Sequence, residues 1–169
     1  MTKAVIALGA NLGSPQQQLI DALKVIDKYP DWTLLDVSSL FQSSPMGPAD
    51  QPDYINAVCI IDSNLGAYDT LQALHAIEDQ FGRQRIRHWG ERTLDLDLIL
   101  FGTESADEPN LKLPHPGLYQ RQFVLLPLAE IAPEFILPTG VTARAQSQQV
   151  TNNDLVMVFS RERLLKQLA

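Results

Sequence analysis

The stretch TLDLDLILF, Thr93 to Phe101, decides how the chain is read. Its alternation predicts a β-strand, with Leu94, Leu96, Leu98 and Leu100 on one face and Asp95, Asp97, Ile99 and Phe101 on the other. At a rise of ~3.3 Å per residue the two aspartates have Cα atoms roughly 6–7 Å apart, so both side chains can converge on one hydrated divalent ion or a close pair of ions. Two carboxylates on the apolar half of a strand repel each other and resist desolvation, so the pattern calls for a cation. The other reading is a strand at a sheet edge whose acidic face lies in water.

Immediately upstream, Arg83, Arg85, Arg87 and Arg92 place four of the eight arginines within ten residues of a chain whose formal charge is −7. A Mg²⁺ held by carboxylates completes its shell with a polyanionic substrate, and guanidinium forks match phosphate oxygens two at a time. Carboxylates beside arginines therefore suggest phosphoryl chemistry. Gly82 and Gly90 bracket a polar connection that reads as a lid closing on phosphates. A basic loop that merely pairs with neighbouring acids is the alternative.

Composition sets the frame. With 169 residues, 45% of them hydrophobic and 20% charged, the chain is expected to form a single domain spanning 1–169 with a sizeable core. The segment MTKAVIALGANLG lacks the basic and long apolar regions of a signal peptide, and no run reaches the ~20 apolar residues of a membrane span. A soluble, cytoplasmic protein is expected. One cysteine, Cys59, lies in an apolar run and makes neither a disulfide nor a zinc site alone. The acidic balance argues against a broad nucleic-acid or membrane surface while allowing a local basic pocket.

Residues 4–8 read as a strand, and Leu19, Ile20, Leu23 and Ile26 as a helix capped by Ser14 with Pro15 at its first position. The Gly9/Gly13 pair lacks G-K-[ST] and a third glycine, so it is not a phosphate loop. Residues 32–41 read as a second strand and 54–62 as a third, separated by a proline-rich loop. A helix carrying Leu71, Leu74, Ile77, Glu78 and Phe81 precedes the aspartate strand, and a short helix covers 123–131. The order β-α-β-β-α-β predicts an α+β, ferredoxin-like sheet with its helices packed on one face, followed by a C-terminal extension. Beyond Pro138 the signals are weak.

Four segments together carry a resemblance. They are G-x-N-L-G near the start, G-P-x-D-Q-P-D-Y-x-N-A at 47–57, G-R-x-R…W-G-x-R-T-L-D-L-D-L at 82–98, and L-P-H-P…R-x-F-V-L-x-P-L-x-E-I-A-P at 113–133. In this order they closely resemble the 6-hydroxymethyl-7,8-dihydropterin pyrophosphokinases of folate biosynthesis. The resemblance implies transfer of pyrophosphate from ATP, with two Mg²⁺ ions, to the hydroxymethyl group of a dihydropterin; a monomer is expected. Under it, Asp95 and Asp97 hold the metals, and Arg83 and Arg92 join them as catalytic residues that neutralise phosphate charge. Arg85 and Trp89 belong to the closing loop, and Glu78, His115 and Arg121 to the nucleotide site. Tyr54 and Phe123 would stack on the pterin, Asn56 would hydrogen-bond its edge, and Ser43, Ser44 and Met46 would line its pocket.

The sequence also departs from the family pattern. Glu91 replaces a usual proline, the segment between Gly82 and Trp89 is one residue short, and His88 stands where an arginine commonly precedes the tryptophan. His75 replaces a glutamine and Pro116 follows His115 in place of an aromatic. These bear on ATP affinity more than on reaction type. The rivals are a two-metal nuclease or nucleotidyltransferase, disfavoured by the −7 charge, and a non-catalytic binding domain, for which the arginine-rich loop has no purpose.

Overall fold

The structure, a computed structural model, describes residues 1–44, 52–82, 93–150 and 154–169. Its centre is an antiparallel sheet whose strands are β1 (Thr2–Ala10), β2 (Trp32–Val37), β3 (Leu40–Ser43), β4 (Tyr54–Ser63), β5 (Asp95–Phe101) and β8 (Val156–Phe159). They run in the order β5-β1-β4-β3-β8, with β2 also paired to β4. A separate hairpin joins β6 (Ala106–Glu108) and β7 (Leu111–Leu113). The helices are α1 (Pro15–Asp27), α2 (Ala67–Gln80), α3 (Gln122–Ile131), α4 (Ala143–Gln149) and α5 (Arg161–Leu168). None of the described helices is long and apolar enough to cross a membrane.

β1 shows why the sheet has two covered faces. Ala4, Ile6, Leu8 and Ala10 point to one side, where Leu19, Leu23 and Ile26 of α1, Leu74 and Ile77 of α2, and Leu164 of α5 pack on them. Val5 and Ala7 point to the other, with Val58 and Ile60 of β4, and are covered by Val124, Leu125 and Leu128 of α3 and Ala143 of α4. The two core helices, α1 and α2, share one face as expected, and the cover on the other face is an addition to that expectation. Central strands that are apolar on both sides need a second layer, and α3 and α4 supply it.

The aspartate strand also departs from strict alternation. Val5 pairs with Leu100 but Ile6 pairs with Leu98, so Ile99 is the extra residue of a β-bulge. Leu94, Leu96 and Leu98 share the α1/α2 face as predicted, whereas Leu100 turns to the α3 face with Ile99, and Phe101 turns back. The bulge lies beyond both aspartates and leaves their register intact.

Other boundaries shift for local reasons. The strand read over 32–41 is divided at Ser38–Ser39, where the Ser38 hydroxyl accepts the Val58 N–H at 2.9 Å and replaces a ladder bond with a side-chain one. The Ser14 side chain makes no capping bond to α1, although Pro15 does occupy its first turn. In the weakly patterned tail, α4 is capped by Thr142 and α5 by Ser160, each hydroxyl accepting an N–H three residues on. Between these helices β8 adds to β3, which brings the tail beside Ser43.

Candidate active site

Asp95 and Asp97 stand opposite Gly9 and Ala7 of β1. Ala7 packs on the α3 face, so both carboxylates rise from that face, and both are half-buried. Next in the same cross-strand rows, Gly9 pairs with Asn56 and Ala7 with Val58. Gly9 thus lies between Asp95 and Asn56 without a side chain. A Cβ there would lie 3.5 Å from Asn56 Oδ1 and 4.0 Å from Tyr54 Cδ1. The missing methyl opens a floor between the acids and the amide. This glycine was read from the sequence only as a failed phosphate loop; it lies within β1, one residue before the strand's end.

The residues expected to hold a flat heterocycle converge on the far side of that floor. Asn56 is 4% exposed, and its amide donates to the Ser43 hydroxyl at 2.6 Å. Ser43 in turn pairs with Tyr54 across β3 and β4. Phe123, in the first turn of α3, is half-buried and carries the Arg121 guanidinium 5.7 Å from its ring centroid. A small cavity of about 70 Å³ is lined by Ser43, Ser44, Arg121, Gln122 and Phe123 together with Asp154 and Leu155 of the tail.

A second, larger cavity of about 680 Å³ opens on the other side of Arg121. That size is typical of small-ligand sites. Asp97, His115 and Arg121 line it, as do Tyr68, Gln72 and His75 from one face of α2, and Asn110 and Lys112 from the β6–β7 hairpin. Tyr68, Gln72, Asn110 and Lys112 were not singled out in the sequence. The half-exposed aromatic at Tyr68, aligned with Gln72 and His75 at helical spacing, was the available signal. Pro116 lines this cavity too, so two of the departures from the family pattern, His75 and Pro116, fall on its wall.

His115 is fixed by its backbone and its ring. Its N–H donates to Ile99 O at 2.9 Å, which ties the segment to the bulge of β5. Nδ1 accepts the Gly117 N–H at 3.1 Å, leaving the ring proton on Nε2. Burial lowers the His115 pKa below its ordinary value, and the Arg121 charge lowers it further against the opposing pull of Asp95. The imidazole is therefore a neutral donor at physiological pH. Arg121 lies against Gly117, where a Cβ would overlap the end of its side chain, so a larger residue there would displace the guanidinium.

Glu78 takes a different position from the other nucleotide-site candidates. It is 1% exposed, and its carboxylate accepts the N–H of Leu96 at 2.7 Å, between the two aspartates. Among the described residues β5 ends the sheet order, and Glu78 satisfies the Leu96 N–H of its backbone. Met46, Arg83, Arg85, Trp89 and Arg92 lie outside the described residues. Among the described residues, no three His, Cys, Asp or Glu side chains gather as a metal cluster.

Comparison with known proteins bears on this arrangement. Residues 5–133 match the family described as 7,8-dihydro-6-hydroxymethylpterin-pyrophosphokinase. The chain is 43% identical over 166 residues to a 2-amino-4-hydroxy-6-hydroxymethyldihydropteridine pyrophosphokinase of Haemophilus influenzae, covering 98% of each. It is 48% identical over 138 residues to the protein of the same name from Pseudomonas aeruginosa, covering 82% of this chain and 85% of the other. Among solved structures, it resembles the Plasmodium falciparum HPPK-DHPS wild type with SDX-DHP, with a TM-score of 0.69. That likeness covers 88% of this chain and 43% of the other at 14% identity, and so speaks to the fold alone.

Proposed function

Because the chain belongs to the 7,8-dihydro-6-hydroxymethylpterin-pyrophosphokinase family, and so transfers pyrophosphate from ATP to the hydroxymethyl group of 6-hydroxymethyl-7,8-dihydropterin, we propose that the two cavities that Arg121 lines divide the substrates between them. ATP takes the larger cavity and the pterin the pocket of Ser43, Ser44, Met46, Tyr54, Asn56 and Phe123. The observation that carries this reading is that Arg121 lines both cavities, with Asp97 at the edge of the larger one. The reacting groups then meet beside the two aspartates.

The chemistry follows from what each residue can do. The hydroxymethyl oxygen bonds to the β-phosphorus, the bond from that phosphorus to the α,β-bridging oxygen breaks, and AMP leaves as the hydroxyl proton is lost. Asp95 and Asp97 fit Mg²⁺: two half-buried carboxylates two residues apart on one strand, leaving the remaining positions to phosphate oxygens and water. Such ions, two in number on this reading, neutralise phosphate charge and align the in-line displacement when bound. Glu78 fixes the strand between the acids, and His115 Nε2–H and Arg121 donate to phosphate oxygens. Arg83, Arg85, Trp89 and Arg92 are assigned to the closing segment, where guanidiniums cover the triphosphate and keep out competing water. Tyr54 and Phe123 hold the pterin by its faces and Asn56 by its edge.

The strand order β5-β1-β4, with β2 and β3 next to β4 and with α1 and α2 on one face, supports a ferredoxin-like core. We take the whole chain as one pyrophosphokinase domain working as a cytoplasmic monomer. The test is to incubate the protein with ATP, Mg²⁺ and the hydroxymethyl-dihydropterin and resolve the nucleotides. AMP formed in step with pterin diphosphate is the expected result, and ADP or no pterin-dependent product refutes the reading.

A further inference from the structure

The family match ends at residue 133, yet the chain returns to the site at Asp154, twenty-one residues later. β8 pairs with β3, and Asp154, just before that strand, accepts the backbone N–H of Ser44 at 3.3 Å. Asp154 and Leu155 line the small cavity with Ser43, Ser44, Gln122 and Phe123. Gln122 Oε1 is buried with no hydrogen-bond partner among the described residues. Asp154 therefore brings a carboxylate, an acceptor, to this small space.

The substrate of the related enzymes is a 2-amino-4-hydroxy pteridine by name. Its pyrimidine ring offers an exocyclic amino group beside a ring N–H, two donors side by side, which match a carboxylate as a guanidinium does. We propose that Asp154, from the tail, is a specificity-determining residue that accepts hydrogen bonds from this donor edge of the pterin. The inference rests on the pterin-pocket assignment given above. The tail then does more than extend the sheet: it completes the pocket on the side that Asn56 does not reach.

The test uses the full chain with ATP, Mg²⁺ and two ligands, the hydroxymethyl-dihydropterin and its analogue lacking the 2-amino group. Asp154→Ala should raise KM for the pterin about tenfold, as loss of a partly exposed charge-assisted hydrogen bond does, while KM for ATP holds. Asp154→Asn keeps an oxygen for the Ser44 N–H but loses the charge, and should raise the pterin KM severalfold. The decisive reading is discrimination: the wild type should prefer the amino compound over the analogue by about tenfold in Kd, and Asp154→Ala should bind the two nearly equally. Unchanged discrimination in Asp154→Ala, or a pterin KM within about twofold of wild type, overturns the proposal. Asn56→Ala separates the two levels. If it weakens pterin binding and Asp154→Ala does not, only the role of the tail falls; if neither does, the pocket assignment falls with it.

Discussion

Gly9→Ala separates the needs of the fold from those of the site. Gly9 lies inside β1, where glycine weakens a strand relative to alanine by about 0.5–1 kcal/mol. A methyl there would meet Asn56 Oδ1 at 3.5 Å and Tyr54 Cδ1 at 4.0 Å, both ordinary contact distances, and the backbone is not in the left-handed region. The substitution should therefore raise stability, by about 1–4 °C in melting temperature for a chain of this size. The same methyl stands on the floor between Asp95 and Asn56. Crowding a fitted ligand costs about 1–3 kcal/mol, or roughly 5- to 150-fold in kcat/KM for the pterin. Melting by circular dichroism and AMP release under varied pterin read the two effects separately. A more stable enzyme with unchanged kcat/KM would show that no substrate uses this floor; a fall of several degrees would show that the space does not exist.

The remaining expectations concern charge and buried polar groups. Asp97→Asn should lower turnover by about 10³-fold or more without loss of melting temperature, since it removes charge stabilisation and also relieves repulsion with Asp95; turnover near wild type at any Mg²⁺ concentration would exclude a metal role. Glu78→Ala leaves the Leu96 N–H buried without its acceptor and should destabilise by about 1–3 kcal/mol, whereas Glu78→Gln, which keeps an acceptor oxygen, should recover part of that in urea titrations. His115 has a folded-state pKa below its ordinary 6.5, so the unfolded chain binds the extra proton first. Its contribution is intact above pH 6.5 and is lost as pH falls from there towards the lowered folded value. Melting temperature should thus fall more steeply from pH 7 to 5 in the wild type than in His115→Gln; parallel curves would mean that His115 titrates as it does in water.

Much of the fold is written in short-range pattern. The apolar periods of α1 and α2 and the runs of β1 and β4 are local, and each becomes the element that the pattern describes. What the sequence does not announce is decided by partners far along the chain. The bulge at Ile99 depends on β1 register, so alternation alone misplaced Leu100 and Phe101. The second helical layer depends on both faces of β1 being apolar, a fact visible at Val5 and Ala7 but ambiguous until α3 and α4 are seen to cover them.

The site divides in the same way. Asp95 and Asp97 were legible because a period of two forces neighbouring acids onto one face, whatever the rest of the chain does. The floor at Gly9 and the acceptor at Asp154 were not, because each has its meaning only across a strand pairing. Gly9 matters through Asn56, 47 residues on, and Asp154 through Ser44, 110 residues back. A missing side chain and a lone exposed carboxylate carry no periodic signal. They acquire meaning only when register sets the glycine between an acid and an amide, and when the pairing of β8 with β3 brings the preceding Asp154 to a cavity lined by Ser43, Ser44 and the start of α3. On the proposed reading, register is what joins the aspartate strand to a pocket that discriminates among heterocycles, and substitutions that shift β8 against β3 should loosen that discrimination before they slow the transfer step.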